Sequence, residues 1–231
     1  MIMTKVKICG ITNKEDAFWA SSLGADFIGL NFYKNSLRKV SVVNAKEIVS
    51  SLPKFTTPVA VFVDEDLEQV IKICKKVGIN YVQLHGEETL EYSKELKIKY
   101  PELKIIKVIK IKPQIENQQN IESYINTIFS QLKQFSEVVD YFMFDTYIEG
   151  IPGGTGEKFD LNVVAQIKNL LQKESININF FVAGGLNIDN VEEVVKLLEP
   201  WCVDVCSGVE RLPRRKDFEK MKVFIRKVKT L

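Results

Sequence analysis

A carboxylate ends the apolar run Phe142-Met143-Phe144-Asp145, and the glycine-rich stretch Gly153-Gly154-Thr155-Gly156 follows before helical spacing resumes. That is how a buried parallel strand would deliver Asp145 to its carboxyl end, the edge at which α/β proteins do chemistry. The pattern recurs along the chain. Val6-Lys7-Ile8 leads to Cys9, Tyr81-Val82-Gln83-Leu84 to His85, Phe180-Phe181-Val182-Ala183 to Gly184-Gly185, and Val203-Asp204-Val205 to Cys206-Ser207-Gly208. Carboxyl and thiol groups can exchange protons with a substrate. Glycines let backbone N–H groups approach an anion, so Gly184, Gly185, Ser207 and Gly208 suit a phosphate, and Gly154, Thr155 and Gly156 are assigned with them. Taken singly, each feature also has a plainer reading: Asp145 as a helix cap, the glycines as turns, Cys9 as an inert buried thiol. Topology decides between them.

The elements that must position these residues form one regular alternation. Strand-like runs lie at Val6–Cys9, Phe27–Asn31, Val59–Val63, Tyr81–Leu84, Lys104–Ile109, Tyr141–Phe144, Phe180–Ala183 and Val203–Val205, with helical spacing between them. Thr12-Asn13-Lys14-Glu15 reads as a capping box opening the first helix, which Gly24 closes, and Leu67 to Val77 is strongly amphipathic with Gly78 behind it. The segment from Lys110 to Asn120 is irregular and has no functional reading. Eight strands alternating with eight helices, with no linker or low-complexity boundary, predict a closed (β/α)8 TIM barrel forming a single domain over residues 1–231. Closure brings every strand end to one face, so Cys9, His85, Asp145, Gly184, Gly185, Asp204, Ser207 and Gly208 converge there. The last two loops of such a barrel are the usual phosphate site.

The totals exclude other classes. Lys and Arg number 32 against 30 Asp and Glu, and a net charge of +2 offers no argument for nucleic acid or an anionic membrane, so neither is expected as a partner. No run of about 20 apolar residues and no signal-peptide pattern is present, so a cytoplasmic location is expected. The four cysteines are scattered, and neither a disulfide framework nor a metal pair is read from them.

Lys7-Ile8-Cys9-Gly10-Ile11-Thr12, Gln83-Leu84-His85-Gly86-Glu87-Glu88, Phe144-Asp145-Thr146 with its glycine loop, Phe159-Asp160, Ala183-Gly184-Gly185-Leu186 and Asp204-Val205-Cys206-Ser207-Gly208-Val209-Glu210 together resemble the phosphoribosylanthranilate isomerase family of tryptophan biosynthesis. The resemblance covers nearly the whole chain. It implies an Amadori rearrangement of N-(5-phosphoribosyl)anthranilate, a small phosphosugar substrate, without metal or organic cofactor, in a monomer or homodimer. It also implies that Cys9 is the general base, Asp145 the general acid and Arg38 the partner of the anthranilate carboxylate. Opening the sugar ring needs a proton on the ring oxygen, after which a base takes the proton from C2. Asp145 must therefore start protonated and Cys9 as thiolate, so positive charge or N–H groups are expected to lower the thiol and desolvation to raise the acid. Asp204 either positions the sugar or caps a turn. His85, the only histidine, is read as a hydrogen-bonding residue of the rim rather than a proton carrier. Cys206 stands where the family commonly has Ser, a change expected to touch only a hydroxyl contact; Leu161 replaces the usual Trp after Phe159-Asp160, a packing change. Other phosphosugar barrels, such as a histidine-pathway isomerase or indole-glycerol-phosphate synthase, leave Cys9 with Asp145 unexplained. A catalytically silent phosphate-binding barrel is the reading from another class.

Overall fold

The computed structural model describes residues 3–112, 118–146 and 161–231. Its strands are β1 (Lys5–Ile8), β2 (Phe27–Asn31), β3 (Thr57–Phe62), β4 (Tyr81–Leu84), β5 (Lys104–Ile111), β6 (Tyr141–Thr146), β7 (Asn179–Val182) and β8 (Cys202–Val205). Between them run α1 (Lys14–Ser22), α2 (Val42–Ser51), α3 (Leu67–Val77), α4 (Leu90–Lys99), α5 (Gln118–Phe135), α6 (Leu161–Lys173) and α7 (Val191–Leu198), and α8 (Phe218–Lys229) closes the order. The eight strands hydrogen-bond in sequence order and β8 returns to β1, giving the expected closed parallel barrel.

The strands read as apolar runs because both faces are covered. Val6 and Ile8 of β1, Ile28 and Leu30 of β2, and Val203 and Val205 of β8 point outward into the layer shared with the helices. The alternate residues point into the barrel, where Phe27, Val59, Ile106, Val108, Met143, Phe181 and Cys202 form a second cluster. That cluster ends at the N-terminal mouth in a plug of rings: Tyr141 stacks on Trp201 at 4.7 Å, Phe27 meets Phe181 at 5.7 Å, and Tyr81 lies 6.1 Å from Tyr141. Lys5 holds its ammonium 4.6 Å from the Trp201 ring.

Helix ends follow local chemistry. Gly78 adopts φ 82°, the left-handed backbone that ends α3. The cap of α1 is Asn13, whose side chain accepts from the Asp16 N–H, and not Thr12, whose hydroxyl instead donates to the Arg214 carbonyl at 2.8 Å. That carbonyl belongs to an unpredicted feature. After β8 the chain makes a 3-10 turn (Ser207–Val209) and a short hairpin of β9 (Glu210–Leu212) and β10 (Arg215–Lys216), with Arg214 at φ 73° in its turn. Its strands are short and mostly charged, so no apolar alternation announces them.

Candidate active site

Register between the first and last strands sets the floor of the site. Lys7 pairs with Asp204 across β1 and β8, and the Cys9 N–H donates to the Val205 carbonyl at 2.8 Å, carrying the pairing one step past β1. Since alternate residues face inward, Lys7 and Asp204 meet inside the barrel, with Nζ 3.0 Å from Oδ1 and both side chains buried. Burial alone would lower the Lys7 ammonium, but Asp204 and Cys9 beside it hold it above the usual lysine range. Burial pushes the Asp204 carboxyl up to about 7, against the pull of Lys7.

One step above this pair, Cys9 and Cys206 lie side by side at the ends of β1 and β8 and line the same cavity. The Cys9 thiol is pushed up, first by the neighbouring Cys206 sulfur and then by burial, while Lys7 and Lys216 pull it down. This corrects the expectation that the thiol of Cys9 would be lowered. The lowered group is Cys206, brought to about 6 by the neighbouring Cys9 thiol and, against burial, by Lys216 and Arg38. The exchange of Ser for Cys here therefore reaches further than a hydroxyl contact.

The hairpin holds the charges behind Cys206. Lys216 is fully buried, donates to the Cys206 carbonyl at 2.9 Å, lies 3.9 Å from its sulfur and pairs with Glu210 at 3.1 Å. Arg38, from the loop between β2 and α2, grips the same carboxylate with two prongs, Nε to Oε1 at 2.8 Å and Nη2 to Oε2 at 2.6 Å. Against the penalty of burial, Arg38 and Lys216 keep Glu210 below the usual carboxylate range. A ligand carboxylate would thus meet the guanidinium edge that Glu210 leaves uncovered.

Across the barrel, Gln83 Nε2 lies 2.7 Å from His85 Nδ1, and His85 Nε2 lies 3.1 Å from Asp145 Oδ2. When the Gln83 amide donates, the ring proton sits on Nε2 and is directed at the Asp145 carboxyl. Below the rim, Lys107 pairs with Glu88 at 2.7 Å, and Glu88 accepts the backbone N–H groups of Asp64 and Gly86, tying the loops after β3 and β4 to β5.

Cys9, Arg38, His85, Asp145 and Asp204 line one cavity of about 300 Å³, shared with Asn31, Gln83 and Cys206. A cavity of that size suits a small ligand. Gly184, Gly185, Ser207 and Gly208 lie outside this lining, in two loops packed against each other. Gly184 and Gly185 take φ 87° and 65°, Asn190 donates to the Gly185 carbonyl at 2.9 Å, and the Leu186 carbonyl occupies the space a Gly208 side chain would need. Gly154, Thr155 and Gly156 lie outside the described residues. Among the described residues, no group of three or more His, Cys, Asp or Glu is placed to hold a metal ion, and no helix is long and apolar enough to cross a membrane.

Sequence reasoning missed Lys7, Gly29, Glu210 and Lys216. Two of these left a trace. Lys7 stands two residues before Cys9 and so shares its face of the strand. Gly29 interrupts a strand, which often marks a close approach; a Cβ there would come 2.6 Å from the Cys9 sulfur and 3.0 Å from Lys7 Nζ.

Comparison with known proteins fits this geometry. Residues 6–227 match the family model for N-(5'-phosphoribosyl)anthranilate (PRA) isomerase. The chain is 39% identical over 228 residues to the N-(5'-phosphoribosyl)anthranilate isomerase of Caldanaerobacter subterraneus subsp. tengcongensis, covering 98% of each chain. It superposes with a TM-score of 0.77 and 32% identity, covering 99% of this chain and 100% of the other, on monomers generated from the dimeric phosphoribosylanthranilate isomerase of Thermotoga maritima. The same values, TM-score 0.77, 32% identity, and 99% and 100% coverage, hold for a phosphoribosylanthranilate isomerase crystallised with reduced 1-(o-carboxyphenylamino)-1-deoxyribulose 5-phosphate.

Proposed function

The chain belongs to the N-(5'-phosphoribosyl)anthranilate isomerase family, and from that premise we propose that it catalyses the Amadori rearrangement of N-(5'-phosphoribosyl)anthranilate to 1-(2-carboxyphenylamino)-1-deoxyribulose 5-phosphate in tryptophan biosynthesis. Cys9 is the general base and Asp145 the general acid. The observation that carries this assignment is the presence of both side chains, from strands distant in sequence, on the wall of one cavity.

Asp145 gives its proton to the ring oxygen as the sugar opens, and the His85 Nε2 contact at 3.1 Å holds the carboxyl in place for that transfer. Cys9, on the other side of the mouth, then takes the proton from C2 of the imine. Arg38 receives the anthranilate carboxylate on its free edge. Asp204 lies beneath the reacting carbons and fixes Lys7 beside Cys9. The phosphate sits on the loops carrying Gly184, Gly185, Ser207 and Gly208, where the left-handed backbone of Gly184 and Gly185 suits the approach of N–H groups to an anion, and Gly154, Thr155 and Gly156 are assigned to it from their sequence. In this reading the chain is a single domain, acts in the cytoplasm as a monomer or homodimer, and its residues supply the proton transfers themselves.

The test is to supply phosphoribosylanthranilate to purified protein and follow the decay of its fluorescence. Cys9→Ala and Asp145→Asn should each lower turnover by about 10³-fold, a typical worth for a positioned acid or base, while binding of a reduced product analogue persists. Turnover within tenfold of the parent in either variant removes that residue from its role.

A further inference from the structure

The base assigned above has a difficulty that the rim itself resolves. Cys9 is buried beside a second thiol, Cys206, so in the resting protein it carries a proton where a base should carry none. The neighbouring sulfur is placed to relieve it. Cys206 follows β8 as Cys9 follows β1, and the β1–β8 ladder brings the two residues abreast on adjacent parallel strands, a spacing of about 4.8 Å. Lys216 Nζ stands 3.9 Å from Cys206 Sγ and is anchored to the Cys206 carbonyl, and Arg38 lies on the other side of Gly10 in the same cavity: a Cβ on Gly10 would meet both Arg38 Cδ and Cys206 Sγ within 2.8 Å. Cys74 is buried among apolar side chains, and the Cys202 thiol, buried in the barrel, donates to the Val203 carbonyl at 3.5 Å.

We infer that Cys206 is the proton acceptor that turns Cys9 into a thiolate, so that the working base of this chain is the Cys9–Cys206 pair rather than Cys9 alone. At rest the pair holds one proton and one negative charge, with the charge on Cys206 under Lys216 and Arg38. As substrate seats, the proton passes from Cys9 Sγ to Cys206 Sγ, and Cys9 then takes the C2 proton. Both sulfurs are protonated at that point, and the pair recovers its charge when one proton returns to solvent. The charged and titratable groups facing the pair are Lys7 on β1, Asp204 on β8, Arg38 on the loop after β2, Glu210 on β9, Lys216 on β10 and Asp145 at the end of β6. Among them, Lys216 and Arg38 act on Cys206, Lys7 and Lys216 act on Cys9, and Glu210 moderates Arg38 and Lys216. Cys206 acts through Cys9, as a positioning residue for its proton. A serine at this position could donate a hydrogen bond but could not hold the charge, because its hydroxyl does not ionise near neutrality.

This inference rests on the assignment of Cys9 as base, and the experiment separates the two. The pH dependence of kcat/KM and the thiolate absorbance near 240 nm are measured for the parent protein and for Cys206→Ser. In the parent, one thiolate should appear with a midpoint of about 6, matching the acid limb of kcat/KM. In Cys206→Ser both midpoints should rise toward the free-thiol value of about 8.5, lowering kcat/KM at pH 7 about 30-fold while activity recovers above pH 9. An unchanged acid limb in Cys206→Ser overturns the inference. So does a parent protein without a thiolate transition below pH 7, a measurement that does not depend on the variant folding. A Cys9→Ala protein that keeps its turnover removes instead the role of Cys9.

Discussion

The two mouths of the barrel are closed by opposite chemistries. At the N-terminal end, Phe27, Tyr81, Tyr141, Phe181 and Trp201 interlock ring against ring, with one lysine laid over the stack. At the C-terminal end, Lys7–Asp204, Arg38–Glu210–Lys216 and Lys107–Glu88 bring charges out of water. Rings bury large apolar areas and add favourable edge and stacking contacts. Buried ion pairs rarely surpass an apolar replacement of equal volume. The rim thus costs stability relative to what the same space could hold, and the cost goes into fixing a thiol pair, a carboxyl and their neighbours. The lower mouth supplies the stability that the upper one forgoes.

Removing one member from each end tests that division. Lys7→Met leaves Asp204 buried without its cation and should lower unfolding free energy by about 3–5 kcal/mol, read by urea denaturation, with turnover lost as well because Cys9 loses its neighbouring ammonium. Trp201→Ala should cost about 3 kcal/mol and leave kcat/KM within twofold of the parent; a tenfold fall would mean that the lower mouth participates in the chemistry. The smallest effect is a slope. Asp204 titrates at about 7 in the folded protein, above its ordinary value of 3.8, so its contribution to stability is fully present below pH 4 and is lost as the pH climbs through 7. Asp204→Asn should flatten that part of the stability–pH curve, and an identical slope in the variant would show that the carboxyl is ionised throughout.

Much of the fold was legible because parallel strands covered on both faces read as apolar runs. The limits of β2 and β4 fell where the pattern placed them. By contrast β5 and β6 continue two residues further, through Lys110 and Ile111 and through Asp145 and Thr146, since the ladder bonds between them outlast the apolar run. The gathering of Cys9, His85, Asp145 and Asp204 around one cavity followed from topology alone, whereas Arg38, on a loop, was reached only through the family resemblance. What could not be read was pairing. Lys7 and Asp204 are 197 residues apart, and their contact depends on how the first strand registers against the last. Nor does a lysine within an apolar strand announce whether it faces water or a barrel interior. The thiol pair was hidden for the same reason, and the hairpin that charges it lacked any periodic signal.

The missing side chain at position 29 links two strands in their capacity to change. The volume a methyl group would claim in β2 is already held by the sulfur and the ammonium of β1, so any lineage or designer seeking to reshape that wall must alter both segments. A side chain at position 29 is passable only after the first strand has given way, so the permitted routes through this part of sequence space run in a fixed order.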